Sequence, residues 1–178
     1  MKSARFLLFT MLLMMNSGLR ATEQFERYGD YLQILLPVTA MTAAFLEEDE
    51  KMEAVWQFGK SFSTTIATTH LLKHLVQKPR PVGDNLSFPS GHTAASFAGA
   101  SFIQKRYGWK YGIPAYVAAS YVGWSRVAAE QHYSEDVIAA AALAIYVNEY
   151  FVTPWQKGLS VSLIPASSAV ALQVNARW

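Results

Sequence analysis

Three short clusters carry the residues able to do chemistry: Lys73, Arg80 and Pro81; then Pro89-Ser90-Gly91-His92; then Ser125, Arg126, His132 and Asp136. Three cations, two histidines and a carboxylate need one common explanation, and a phosphate supplies it. A phosphoryl group in transfer spreads negative charge over three equatorial oxygens, so fixed positive charge and N–H donors must surround it. Arg80 and Arg126 offer planar forks for oxygens, and Lys73 offers a point charge. Ser90-Gly91-His92 opens a predicted helix over 92–104, whose N-terminal N–H groups and dipole would face the same anion. Gly91 lets the backbone approach closely.

The histidines then divide the work. His132 and Asp136 are four apart, which on a helix puts both on one face. The carboxylate can hold one imidazole nitrogen protonated so that the other keeps its lone pair. His132 is therefore the candidate nucleophile. His92, in a separate cluster, is placed to give a proton to the leaving oxygen. A phosphohistidine later attacked by water would split one hard displacement into two easier ones.

The clusters resemble the Lys-x6-Arg-Pro, Pro-Ser-Gly-His and Ser-Arg-x5-His-x3-Asp signatures of the type 2 phosphatidic acid phosphatase (PAP2) and vanadium haloperoxidase superfamily, with every specified position and spacing matched. The resemblance implies an all-α bundle of about five core helices and phosphate-ester hydrolysis without metal or other cofactor. It also implies roles: His132 as nucleophile oriented by Asp136, His92 as acid and base, and Lys73, Arg80, Ser90, Gly91 and Arg126 on phosphate oxygens. A bacterial PAP2 phosphatase acting on a phosphomonoester or pyrophosphate is the expectation. Apolar helices around the site favour a phosphorylated lipid, such as phosphatidic acid, phosphatidylglycerol phosphate, undecaprenyl pyrophosphate or lipid A. The rivals are a periplasmic acid phosphatase on small soluble phosphate esters, a vanadium-dependent haloperoxidase, and a scaffold keeping an inactive fold. The last conflicts with so many charged groups in an apolar bundle.

The elements that must position these residues are mostly apolar. Of 178 residues 52% are apolar and 16% charged, richer in apolar groups than a typical soluble domain. A net charge of +2, without a basic stripe, argues against nucleic acid. With no cysteine there is no disulfide or thiolate site. Lys2 and Arg5 precede an apolar run over 6–15, the layout of a bacterial secretory signal or N-terminal anchor covering 1–21. A catalytic domain over 22–156 and a tail over 157–178 follow.

Helices are expected from Thr22 through the apolar stretch 31–46, then over 52–77, 92–104, 111–124 and 132–151. Residues 47–51 read as a solvated acidic loop and 105–110 as a basic turn. If all five helices cross a bilayer, the three motif clusters fall on one side, facing the periplasm, and the basic turn falls inside, as the positive-inside rule prefers. The third and fourth helices look short for that, with about 13 to 14 apolar residues where roughly 20 are needed. The tail alternates loosely about 165–168, which predicts a small β-hairpin. His70 and His74 share a helix face, but the cation Lys73 beside them argues for a structural role rather than a metal. Ser125 is expected to shape its turn, and Trp56, Trp109, Trp124 and Trp155 to anchor core or interface.

Overall fold

The computed structural model describes the backbone of residues 2–47, 50–83, 86–155, 158–166 and 169–177, and side chains within 23–47, 50–83 and 86–155. Among these residues there are five helices: α1 (Lys2–Leu46), α2 (Lys51–Val76), α3 (Gly91–Tyr107), α4 (Trp109–Ala128) and α5 (Ser134–Phe151). Strands β1 (Gly158–Ala166) and β2 (Ala169–Arg177) then pair antiparallel, with Leu163 opposite Leu172, as the alternation in the tail predicts. The leader-like run and the apolar stretch after it lie in one continuous helix, α1.

Helix α3 is the axis of the bundle and packs against α1, α2, α4 and α5. Its small residues explain how. Ala94, Ala98 and Ala100 are completely buried, and at Gly99 a Cβ would lie 2.7 Å from backbone atoms of Leu36 and Pro37. Only glycine lets α1 and α3 come that close. The partners answer with small residues of their own, Ala40 and Ala44 on α1, Ala119 on α4, and Ala140 and Ala144 on α5, while Phe58 and Phe102 fill the remaining space edge to face.

The outer helices turn apolar side chains away from the protein. Tyr31, Ile34, Leu35 and Val38 on α1, Leu71 and Leu75 on α2, Ile113 and Val117 on α4, and Ile138 and Tyr146 on α5 are all more than half exposed. Among the described residues one segment, Glu23–Leu46, is both long and apolar enough to cross a membrane.

The sequence reading needs four corrections. Helix α3 runs three residues further than expected, and α4 is extended at both ends, taking Ser125 and Arg126 into its last turn. At 17 and 20 residues they are longer than the apolar runs that marked them, because polar residues continue each helix at its ends. Helix α5 starts at Ser134, so His132 precedes it; Asp136 caps the Tyr133 N–H at 3.0 Å, which stops the helix short of the histidine. The acidic stretch is not simply solvated. Glu47 is buried and ion-paired with Arg106, itself buried in α3 rather than lying in a basic turn. Glu50 joins the same guanidinium at 2.8 Å, and Arg106 also donates to the Thr153 carbonyl at 3.1 Å. This ion-pair knot closes the end of the bundle opposite the three motif clusters.

Candidate functional site

Each cluster reaches the same end of the bundle by a different route. Lys73 stands in the last turn of α2, where Gln77, in left-handed backbone, returns its N–H to the Lys73 carbonyl at 3.0 Å and ends the helix. The chain then loops through Arg80 to Ser90. Ser90 is the N-cap of α3, with its hydroxyl accepting from the Thr93 hydroxyl at 3.0 Å and, more weakly, from the Thr93 N–H at 3.4 Å. It is fully buried, and its N–H donates to the Asp136 carbonyl at 3.0 Å, which ties the Pro-Ser-Gly-His turn to the start of α5. A Cβ on Gly91 would meet the Lys73 side chain at 3.8 Å, so α2 and α3 also meet here.

Around this frame, Arg80 donates through Nη1 to the Gln131 side chain at 2.7 Å, beside His132. Its Nε is buried and has no hydrogen-bond partner among the described residues. Lys73 Nζ donates to the Leu86 carbonyl at 2.8 Å. His92, in the first turn of α3, faces Arg126, from the last turn of α4, across a carboxylate contributed by α1. That residue is Asp30, whose Oδ1 lies 3.1 Å from His92 Nε2 and 3.0 Å from Arg126 Nη1. All eight residues singled out from the sequence therefore gather at one end of the bundle.

His132 and Asp136 are joined, but not as their spacing suggested. Nδ1 of His132 and Oδ2 of Asp136 are 3.9 Å apart, too far for a hydrogen bond. Ser87 Oγ stands between them, 3.3 Å from His132 Nδ1 and 2.5 Å from Asp136 Oδ2. Asp136 is completely buried and accepts from Lys78 Nζ at 2.7 Å on its other oxygen. An ionised carboxylate can only accept, so the serine donates to Asp136 and accepts from Nδ1–H. That order leaves Nε2 of His132 with the lone pair.

The electrostatics favour the same state. Burial, with Lys73 and Arg80 adding to it, pushes His132 down to about 4, against partial opposition from Ser87 and Asp136. The ring is thus neutral at and above pH 5. In histidine-labelled NMR spectra of the ligand-free protein, His132 is expected to titrate near pH 4, and Lys73→Met should raise that midpoint. A midpoint at or above 6.5 would contradict this account of the site.

Five contributors had no assigned role in the sequence reading: Ser87, Lys78, Gln131, Asp30 and Glu26. The first three lie within or beside the motifs, and their polar character was the available signal. Asp30 and Glu26 lie far upstream, and nothing in their spacing announces them. His70 and His74 are both exposed on α2, and among the described residues no group of three or more metal-ligating side chains gathers.

Comparison with known proteins identifies the family. The PAP2 superfamily profile matches residues 54–157, more than half of the chain. The chain is 41% identical over 66 residues to a lipid A 1-phosphatase of Porphyromonas gingivalis, and 46% identical over 44 residues to a lipid A 4'-phosphatase of Helicobacter pylori. These matches span 35% and 25% of the chain, but only 15% and 22% of those relatives' own lengths. Among solved structures, Aquifex aeolicus LpxE superposes with a TM-score of 0.63 at 22% identity, over 73% of this chain and 84% of that one. A transmembrane PAP2-type phosphatidylglycerolphosphate phosphatase from Bacillus subtilis does so with 0.57 at 22% identity, over 74% and 73%. At that identity the two superpositions speak to the fold.

Proposed function

We propose, since this chain belongs to the PAP2 superfamily, that it is a phosphoric ester hydrolase acting on a phosphorylated lipid through a phosphohistidine. The observation that carries the reading is the buried Arg80 Nε. It is a guanidinium donor without a hydrogen-bond partner among the described residues, set among Lys73, His132 and the N-terminus of α3. A cation desolvated in that way is costly unless an anion meets it.

In this mechanism Lys73, Arg80, Arg126 and the first N–H groups of α3 hold the phosphate oxygens. His132 Nε2 attacks phosphorus, and the ester P–O bond breaks as His92 protonates the departing oxygen. Water then attacks the phosphohistidine, its proton passes to His92, and inorganic phosphate leaves. The Ser87–Asp136 chain keeps His132 in the reactive tautomer and stabilises the charge it gains.

The lipid part of the reading rests on the surface. A 20-residue α4 is about 30 Å long, close to the thickness of bilayer hydrocarbon. Trp109 and Trp124, both at least half exposed, mark its two ends as interfacial tryptophans do. Exposed apolar faces on four helices weigh against a soluble-ester phosphatase. The site gathers at the end of the bundle where α4 carries Trp124, and on this reading that end sits in the interface, where a lipid headgroup would present its phosphate. The orientation read from the sequence turns this end to the periplasm. Because the two relatives described above are named lipid A 1-phosphatase and lipid A 4'-phosphatase, the 1- and 4'-phosphates of lipid A are the first substrates to offer.

The test is phosphate release by purified protein from lipid A, phosphatidic acid, undecaprenyl pyrophosphate and soluble esters, with vanadate as inhibitor and EDTA present. Turnover of a lipid phosphate that vanadate blocks and EDTA spares is expected. Hydrolysis confined to soluble esters, or dependent on added metal, would overturn the reading.

A further inference from the structure

We propose that Asp30 of α1 is a positioning residue for His92, the carboxylate that orients this histidine for its work as acid in the first half of the reaction and as base in the second. The role rests on the phosphatase reading above and adds a helix that lies outside the family-matched residues 54–157.

Three observations carry it. First, Asp30 Oδ1 is buried and lies within ion-pair distance of two nitrogens, His92 Nε2 and Arg126 Nη1. One carboxylate oxygen thus bridges the imidazole and the guanidinium. Second, α1 is built to reach this point. A Cβ at Gly29 would fall 2.2 Å from Ser125 Oγ and 3.0 Å from Arg126 Nη2, so a side chain there would push α1 away. Third, the approach is braced on both sides. Arg126 donates to the Glu26 carbonyl at 2.8 Å and lies 3.5 Å from the Glu26 carboxylate, while Phe25 packs edge-on against Trp124.

The chemistry gives the carboxylate a task. Burial opposes an imidazolium at His92, and so do Arg126 from α4 and Arg80 from the connection after α2, with Lys73 and the neutral His132 elsewhere in the same site. An acid that must give its proton to an alkoxide needs that charge kept available, and Asp30 opposes the arginines at short range. When the leaving oxygen takes the proton, His92 becomes neutral. When water attacks the phosphohistidine, its proton passes to Nδ1, the ring nitrogen turned from Asp30, while the carboxylate keeps its hold on Nε2. A competing explanation is that Asp30 merely holds the place of a phosphate oxygen on Arg126, and the two predict different kinetics.

Asp30→Asn is compared with the intact protein on a lipid phosphate, whose alkoxide needs a proton, and on p-nitrophenyl phosphate, whose phenolate does not. The lipid rate should fall about 10- to 100-fold and the p-nitrophenyl rate by less than about threefold, since acid catalysis matters most for poor leaving groups. The basic limb of kcat for the lipid, and the His92 midpoint in NMR spectra, should both move to lower pH, because Asp30 is the group that raises that midpoint. Asp30→Glu should recover part of each. Tighter substrate binding with an unmoved pH profile would overturn the proposal in favour of a place-holder. Equal losses on both substrates, or no change, would also overturn it. His132→Ala runs alongside. If the intact protein turns over neither substrate, the phosphatase reading falls and this proposal with it; if turnover depends on His132 but Asp30→Asn matches the intact protein, only this proposal falls.

Discussion

His132→Ala is expected to lower turnover of a lipid phosphate by a factor on the order of 10⁴ or more, the scale on which removal of a covalent nucleophile is felt. The fold should survive. His132 lies in the short connection between α4 and α5, outside every helix, and its side chain supplies no cap. Its backbone N–H, which donates to the Arg126 carbonyl at 3.2 Å, is unchanged by the substitution. Far-UV circular dichroism and a thermal melt in detergent should therefore match the unaltered protein while phosphate release is lost. The companion variant His92→Ala should let an acid-labile phosphoryl adduct build up on His132 when the leaving group is good, because the second step then lacks its base. Full activity of His132→Ala, or an adduct mapped to another residue, would refute the covalent route.

The second large effect lies at the opposite end of the molecule. Arg106→Met is expected to destabilise the bundle by about 3–5 kcal/mol, the range found when one partner of a buried ion pair is removed. The penalty arises because Glu47 would stay buried with only the Tyr107 hydroxyl, at 3.2 Å, still donating to it among the described contacts. Pairing the change with Glu47→Gln should recover much of the loss, since no uncompensated charge then remains. A melting temperature for Arg106→Met equal to that of the unaltered protein would show that the knot contributes nothing to stability. The cycle is best measured far from the site, with turnover recorded only as a check on folding.

The motif residues were legible because the chemistry of a phosphate constrains residue types at short, fixed separations. Lys73, Arg80, His92 and Arg126 needed only a fold that brings three loops together. The helices were legible in number and order, yet their ends were not, since polar residues continue α3 and α4 beyond their apolar runs. His132 and Asp136 show a different limit. A four-residue interval reads as one helical face, but Asp136 spends one oxygen on capping α5 and so fixes the helix start after the histidine. Ser87 then fills the gap that results. Asp30 was hidden for another reason: its place beside His92 depends on a close passage of α1 permitted by Gly29, a relation between distant segments that no local interval encodes. Glu47 and Arg106 were misread together, because a run of charges looks solvated until its partner arrives from another helix.

Helix α3 joins these two ends. One rod carries the Pro-Ser-Gly-His turn at its start and Arg106 at its finish, and it is wrapped by four neighbours along its length. Loosening either extremity should therefore be felt at the other, and calorimetry should record a single cooperative transition instead of a fragile mouth melting ahead of a sturdier base.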